Sequence, residues 1–336
     1  MEYGSILFFF PMIRKLTKRT LLFLIWFAAS LSWGADIRET IANGNVDDAI
    51  QELKAQIHAS PNDAVAYHLL SRAYFVLEDW DQAIAAGEKA ALLKPQNSEY
   101  HLWLGRAYGS KAEHAGWWSA MGLAKRSRRE LEKAVELDGG NYAARTDLAE
   151  FYMEAPGIVG GGRDKALAQA EALDASNAAA GHWVKARLAD KNGQLDAAEQ
   201  EYKTAISVSK IPALDWLNLA SFYGHHKRAA EMKAAVEKAV ELDHASGNKK
   251  SKVLFEAAIS LFHSRNDLKG AAQLMRRYVA APEKNEDAPA FQAHFQLGEM
   301  LKTQGDRAGA ANEYRAALAL APEYGPAKDA LTHLAD

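Results

Sequence analysis

Apolar and small residues recur along the chain with a period close to 34 residues, and inside each period their spacing is that of amphipathic helices. In the clearest copy, which begins at Ala64, one face of a first predicted helix carries Tyr67, Leu70 and Tyr74. The facing side of a second predicted helix carries small residues: Ala83, Gly87 and Ala90. The pattern of the first helix returns in later copies: His101, Leu104, Gly105 and Tyr108; Trp216, Leu219, Ala220 and Tyr223; His294, Leu297, Gly298 and Leu301.

A helix pair of this kind cannot bury its apolar face alone, so the period predicts a stack of pairs in which neighbours bury one another. The links inside the pairs are short and polar, as in Glu78–Asp81 and Gly305–Arg307, with glycine ending a helix and aspartate capping the next. Eight pairs are expected, beginning near Ala35, Ala64, Ser98, Tyr142, Ala179, Ala213, Lys252 and Phe291. A last helix at Gly325–Leu334 should cover the open end of the stack.

These residues resemble the tetratricopeptide repeat, and the resemblance extends from about Asp36 to the C-terminus. It implies an all-α, tetratricopeptide-like α-solenoid of about eight helix pairs plus a C-terminal capping helix, over residues 35–336. Such repeats bind many unrelated partners, so the resemblance implies a protein–protein or peptide-binding scaffold and no particular partner. An extended partner would lie in the concave groove of the solenoid.

The first helices should line the concave face, and the fifth and ninth residues of each repeat should point inward. The candidate partner-binding residues at such positions are His68, Arg72, Arg106, Trp183 and Arg187. Arg72 and Arg106 share the ninth position in adjacent repeats, where two guanidinium groups would suit an acidic group of a partner. The alternative is that each arginine pairs with a nearby acid such as Glu78 or Glu99. The carboxylate-clamp subtype has lysine at the fifth position and asparagine at the ninth, which this sequence lacks, so binding of cytosolic chaperone tails is not implied.

Two insertions interrupt the period, near residues 109–126 and 154–163, and they fall in successive repeats. Insertions of a solenoid map to one end of the stack, so we expect the two to touch and to form an additional contact surface. The first carries Trp117 and Trp118, which point about 100° apart on a helix. One ring should pack under the second insertion while the other is exposed as an anchor for a partner. The alternative is that both rings pack in the local core.

The second insertion is rich in glycine, with Gly157, Gly160, Gly161 and Gly162 followed by Arg163. The spacing of Gly157 and Gly162 is that of a phosphate-binding loop, but Arg163 and Asp164 stand where lysine and a hydroxyl residue are needed. One interpretation is a turn whose Asp164 caps the following helix. The other is that free backbone N–H groups near Arg163 hold a small anionic ligand, the alternative function.

The N-terminal segment is typical of a secretory signal. Four cations, Arg14, Lys15, Lys18 and Arg19, precede the apolar run Leu21–Leu31, and small residues precede a cleavage point before Ala35. We expect residues 1–34 to be removed and the repeats to be exported to the periplasm, with translation starting at Met1 or Met12. The alternative is an uncleaved N-terminal membrane anchor.

Charge and residue types exclude several functions. The net charge of the chain is −3, and residues 35–336 are mildly acidic, which argues against nucleic-acid binding. The chain has no cysteine, and its adjacent histidines, His225 and His226, lack the spacing of zinc ligands on a helix. No catalytic arrangement stands out, so we expect no enzymatic activity, no cofactor and no metal. The expected partner is a protein or peptide, without an integral membrane domain in the mature chain; the sequence defines no oligomeric state.

Overall fold

The computed structural model describes residues 33–335. Residues 1–32, which include both candidate starting methionines and most of the predicted signal segment, lie outside the described residues. Within residues 33–335 the regular structure is helical, apart from one isolated β-bridge between Asn285 and Ala288. None of these described helices is long and apolar enough to cross a membrane.

Seventeen α-helices and one short 3₁₀ turn, η1, follow one another in the described part of the chain. They are α1 (33–42), α2 (Val46–Ala59), α3 (Ala64–Val76), α4 (Trp80–Leu93), α5 (Ser98–Glu113), α6 (Trp117–Leu137), α7 (Tyr142–Glu154), η1 (Gly157–Val159), α8 (Arg163–Leu173), α9 (Ala178–Lys191), α10 (Leu195–Val208), α11 (Pro212–His225), α12 (Ala229–Ser246), α13 (Val253–Ser264), α14 (Leu268–Ala280), α15 (Ala290–Thr303), α16 (Arg307–Leu320) and α17 (Gly325–Ala335).

The helices form eight stacked pairs, with α17 packed on the last pair, as the period predicts. Many helices begin at a capping side chain that accepts a hydrogen bond from the first-turn backbone, which satisfies an otherwise unpaired N–H group. These caps are Asp63, Asp79, Asn97, Asn141, Asn177, Asp267 and Asp306. One predicted cap is wrong: Asp164 lies inside the first turn of α8, whose N-cap residue is Gly162.

Glycine allows close approach where helices cross, as the recurring small residues predict. A Cβ atom on Gly105 would lie 2.9 Å from the side chain of Leu131, and one on Gly298 would overlap the ring of Tyr314. A Cβ atom on Gly87 would lie 3.1 Å from Ser71 Oγ and 3.2 Å from Leu104 Cδ1. The space beside Gly87 is therefore bounded by Ser71 and Leu104.

A histidine–glutamate contact that recurs in several pairs shows where the first insertion lies. In the fifth and eighth pairs, a histidine of the first helix contacts a glutamate 19 residues later in the second helix: His182 with Glu201, and His294 with Glu313. In the third pair, the equivalent contact joins His101 to Glu130, 29 residues later. Ten additional residues therefore lie inside this hairpin, where they lengthen both α5 and α6. The turn occupies residues 114–116, and Gly122 lies within α6.

The second insertion lengthens the link between α7 and α8. This link runs from 155 to 162 and includes η1, whereas the corresponding link in the second pair occupies only 77–79. Val159 of η1 is 4% exposed, and η1 packs against α6 of the preceding pair. The two insertions are therefore neighbours in space: the first lies in the α5–α6 hairpin and the second in the link between α7 and α8.

The two ends of the solenoid meet. Three hydrogen bonds join them: Glu323 N–H to Asp47 (3.1 Å), the Tyr324 hydroxyl to Glu78 (2.9 Å) and the Gln292 side-chain amide to the Val76 carbonyl (2.7 Å). Phe291 and Tyr324 belong to the same apolar cluster as Leu53 and Leu69 of the first pairs. The stack therefore curves through a full turn, and its last pair packs against the first two.

Candidate functional site

The inner surface of the solenoid holds the five predicted partner-binding residues on three first helices: α3 carries His68 and Arg72, α5 carries Arg106, and α9 carries Trp183 and Arg187. Their surroundings differ from one helix to the next.

Arg72 is 8% exposed because the link between α14 and α15 crosses over it. Its guanidinium lies 3.1 Å from Glu286 and 3.6 Å from Asp287, two acids of that link. It also stacks on the ring of Trp103, 4.2 Å from the centroid. Charge-assisted bonds together with stacking are the contacts for which arginine is best suited. Arg72 is thus held by acids from the other end of the chain.

His68 is buried beside Arg72, with 4% of its surface exposed, and its ring stacks on Tyr100 at 4.7 Å. Its Nε2 atom has no hydrogen-bond partner among the described residues. Burial, and then the positive charges of Arg72 and Arg38, lower the pKa of His68 to about 3. His68 is therefore neutral at physiological pH and belongs to the packing of this end of the solenoid.

Arg106 also stacks on the indole of Trp103. Its guanidinium lies 4.7 Å from the Trp103 centroid, and its Nε donates to Asp147 at 2.6 Å. Trp103 therefore stacks with both predicted inner arginines, and its own indole N–H donates to Glu99. Sequence reasoning missed Trp103; its position next to Leu102, on the inward-facing helix, was the available signal.

On α9, Arg187 packs over Trp183 at 5.4 Å and pairs with two acids of α7, at 2.9 Å from Glu154 and 3.7 Å from Glu150. Both α9 residues line an open cleft of about 520 Å³ on the inner faces of α9, α11 and α13. Polar side chains of the next pairs continue this inner cleft: Asn218, Ser221, Glu256, Ser260 and His263. The inner surface is therefore open here, whereas it is covered at Arg72.

The predicted insertion surface lies at the mouth of a second cleft, of about 580 Å³, between the α5–α6 hairpin and η1. Trp117 and Trp118 are 66% and 83% exposed, so the alternative in which both rings pack in the local core is wrong. Trp117 lines this insertion cleft together with Ile158 and Val159, and Trp118 does not line it. Sequence reasoning also missed Ile158, which is 70% exposed on η1.

The glycines of the second insertion form a closed turn. The backbone N–H groups of Gly160, Gly161 and Gly162 donate to the carbonyls of Gly157, Pro156 and Tyr152. Gly160 has a φ of 101°, which favours glycine, and a Cβ atom on Gly161 would overlap the Ala155 carbonyl. Arg163 follows as the exposed first residue of α8. The three glycine N–H groups are thus used within the turn, which leaves none of them to bind an anion.

The residues 33–335 contain no grouping of three histidine or acidic side chains that could hold a metal ion. His226 pairs with Asp190 at 2.7 Å, apart from its neighbour His225. The recurring His–Glu and Tyr–Glu contacts instead join helices of the stack, as in the bonds of Tyr152 to Glu132 and of Tyr223 to Glu199.

Comparison with known structures finds helical repeat proteins of low identity. A thermophilic tetratricopeptide repeat protein of Thermus thermophilus is 21% identical, covering 57% of this chain and 96% of its own, with a TM-score of 0.47. Yeast Tom70 is 15% identical, covering 86% of this chain and 58% of its own, with a TM-score of 0.49. A tetratricopeptide repeat protein of Parabacteroides merdae is 14% identical, covering 85% of this chain and 100% of its own, with a TM-score of 0.40. Identities this low carry no functional property over to this chain.

Comparison with sequence families gives matches to the tetratricopeptide repeat at residues 40–108, 179–211 and 291–324. In the structure these stretches correspond to consecutive helices of the first three pairs, to the fifth pair and to the eighth pair. The matched stretches are similar to tetratricopeptide repeats and lie in the first, middle and last parts of the chain.

Proposed function

We propose that this protein is a non-enzymatic scaffold of the cell envelope that binds an extended segment of a protein partner on its inner surface. Tetratricopeptide repeats are generally scaffolds for protein–protein interaction, and the repeats of this chain support that class of function. The location in the envelope rests on the signal-like sequence at residues 14–34.

The inner cleft on α9, α11 and α13 is the observation that carries this proposal. It crosses three consecutive helix pairs, so a partner that lies in it would be extended. The ring of Trp183 offers an apolar contact, while Asn218 and Ser260 can bond to a peptide backbone. The hydroxyls of Ser221 and Ser260 are 3.2 Å apart and join two of the pairs along this path.

Binding of an acidic partner by Arg72 and Arg106 stays a prediction. Such a partner would first have to break contacts that both arginines make within the chain. The partner would have to displace Glu286 and Asp287 from Arg72, and Asp147 from Arg106. Open inner surface is found instead around Trp183. Binding of a small anion at Gly157–Arg163 is the less favoured function, because the N–H groups of three of its glycines are already bonded.

Site-specific photo-crosslinking in the native host tests the proposed function. A photo-reactive amino acid at Ser260, inside the inner cleft, should form a covalent adduct with a protein partner. The matched position is Glu237, exposed on the second helix α12, and it should form no such adduct. Trp183→Ala should reduce the Ser260 adduct. Absence of an adduct at Ser260, or equal adducts at both positions, would show that the inner surface does not bind a partner.

Export is tested separately, by sequencing the N-terminus of the protein recovered from its host and by cell fractionation. We expect a periplasmic chain that begins at Ala35. A chain that keeps Leu21–Leu31 and sediments with membranes would favour the anchored alternative, and a cytoplasmic chain would contradict the envelope location.

A further inference from the structure

The lengthened part of α6 presents an apolar face that is only partly buried. Trp117, Ala120, Met121 and Ala124 line the insertion cleft, and their i, i+3, i+4, i+7 spacing places them along one face of the helix. Regular pairs cover such a face with the first helix of the next pair. Here the hairpin extends beyond α7, so the face borders solvent, and Trp117 remains 66% exposed.

The opposite side of the insertion cleft is also apolar and accessible. Ile158 and Val159 of η1 line it, and Ile158 is 70% exposed. The ring of Phe151, on α7, lies between the two sides. Two apolar surfaces therefore face each other across a cleft of about 580 Å³, a volume typical of sites that bury a ligand or a few side chains.

The charged residues that line the insertion cleft are mainly acidic. They are Glu113, Asp147, Glu150 and Glu154, against one cation, Arg106. Asp147 is paired with Arg106 at 2.6 Å, and Glu154 with Arg187 at 2.9 Å. The best contact of Glu150 to a cation is 3.7 Å, and Glu113 has no ion pair among the described residues. Two carboxylates beside the apolar surfaces are thus weakly compensated.

The pKa of Glu150 is raised chiefly by burial, which disfavours its charged form. The charge of Arg187 acts in the opposite direction, and the charges of Asp147, Glu154 and Glu113 add to the rise. A positive group placed in the cleft would therefore relieve repulsion between these carboxylates, and a further negative group would increase it.

We propose that the insertion cleft binds an amphipathic basic segment of a protein partner, a segment that carries apolar side chains together with a lysine or arginine. The apolar side chains pack between Trp117, Met121 and Ile158, and the cation is placed near Glu113 and Glu150. This inference rests on the proposed scaffold function and assigns to it a second contact surface. Complementarity of charge selects the basic segment, because acidic peptides and anionic lipid headgroups would meet uncompensated carboxylates.

The chemistry of the surface fits such an occupant. Exposed tryptophans in a recess are typical anchors of protein interfaces. The hydrocarbon part of a lysine or arginine side chain packs along an aromatic ring while its charged end reaches an acid. The apolar stripe of α6 spans about two helical turns, roughly 10 Å, which suits a short segment rather than a whole domain surface.

Three synthetic peptides test the inference with the full-length protein. Each is about four helical turns long and has the same leucine face, and the polar face carries lysine, glutamine or glutamate. Fluorescence anisotropy should show the lysine peptide binding about tenfold more tightly than the glutamine peptide, with the glutamate peptide weakest. Added salt should weaken the lysine peptide most. Equal binding of the lysine and glutamine peptides, or preference for glutamate, would overturn the proposal.

Matched variants locate the binding. Trp117→Ala should weaken the lysine peptide about tenfold, whereas Trp118→Ala, one residue further along and outside the cleft, should not. Glu113→Lys should shift the preference toward the glutamate peptide, and Glu136→Lys, on the exposed far end of α6, should not. Unchanged melting temperatures show that these exposed residues affect binding and not folding. Equal effects at Trp117 and Trp118, or no effect of Glu113→Lys, would contradict the site.

The same variants separate this inference from the proposed function. If Ser260 forms a partner adduct but no peptide binds and the Trp117→Ala variant retains the adduct fully, the scaffold function stands and the cleft inference fails. If neither the adduct nor peptide binding is found, both fail. A second copy of this chain is the other possible occupant of the cleft, and analytical sedimentation of wild type and Trp117→Ala tests it. A dimer that is lost in the variant, without any peptide binding, would show that the second copy occupies the cleft.

Discussion

The second and third helix pairs are neighbours in the stack, yet they relate to solvent in opposite ways. Helix α3 buries most of its length, including the polar His68 and Arg72. Helix α6 is longer and buries only Ser127, Leu131 and Ala134. A pair of ordinary length is covered by its neighbours and, here, by the link from the other end of the chain. In the lengthened part of α6, Leu123 packs against the neighbouring core cluster, but Trp117 remains 66% exposed and available to a partner.

The largest expected effect tests the regular half of α6. Leu131 is 4% exposed and packs against Gly105, so Leu131→Ala leaves a cavity in the stack. We expect the free energy of unfolding to fall by about 2–5 kcal/mol, measured by urea denaturation followed by circular dichroism. A loss below about 1 kcal/mol would mean that the C-terminal half of α6 is as loosely packed as its beginning, and the two halves of this helix would not differ.

A smaller loss is expected on adding volume in the second pair. Leucine at Gly87 has no room, because a Cβ atom there would already lie 3.1 Å from Ser71 Oγ and 3.2 Å from Leu104. Overpacking should cost about 1–3 kcal/mol in the free energy of unfolding. The matched change Gly122→Leu, in the lengthened part of α6 where nothing lies within 4 Å, should not destabilise the protein. Equal melting temperatures of wild type and Gly87→Leu would refute the assigned packing.

We expect the stability of the protein to fall in acid because of His68, which is buried where the two ends of the solenoid meet. The pKa of His68 is about 3 in the folded protein and near 6.5 in the unfolded chain. Between these values the unfolded chain binds a proton that the folded protein does not. Stability is therefore full above pH 6.5 and falls on acidification toward pH 3, by up to about 1 kcal/mol per pH unit.

Replacing the ring isolates this contribution. His68→Phe keeps the stacking on Tyr100 and removes the titration, so stability between pH 6.5 and 4 should fall less steeply than in wild type. His101→Phe is the opposite control. The hydrogen bond to Glu130 raises the pKa of His101, so the protonated ring stabilises the folded protein at low pH. That variant should lose stability more steeply on acidification. Identical pH slopes for His68→Phe and wild type would exclude the assigned role of His68.

The smallest expected effect is at the exposed end of α6. Trp117→Ala removes a side chain that is 66% exposed, so the free energy of unfolding should change by no more than about 0.5 kcal/mol. Differential scanning calorimetry against Leu131→Ala, in the same helix, measures the contrast directly. A large loss at Trp117 would indicate that the ring stabilises the hairpin, and it would weaken the assignment of this residue to partner binding.

Particular residues show how far sequence reasoning reached. The period predicted that Arg72 and Arg106 share one repeat position, but it did not predict which acids they contact. Neither Glu78 nor Glu99 pairs with them; Arg72 pairs with acids more than two hundred positions away. The α6 stripe that begins at Trp117 could be read from the sequence as a helical face. Its exposure could not, because it depends on where α7 ends relative to the hairpin.

The sequence by itself determined the helix pairs, most of their starting positions and their stacking order, because these follow from local signals: the period of apolar residues, the small residues at crossings and the capping side chains. The tertiary structure alone decided which surfaces are covered. The curvature accumulated over eight pairs brings Tyr324 to Glu78 and places the acidic link over Arg72, while the lengthened hairpin extends past its neighbour. Such contacts depend on the sum of many small rotations between pairs, which no single stretch of sequence encodes.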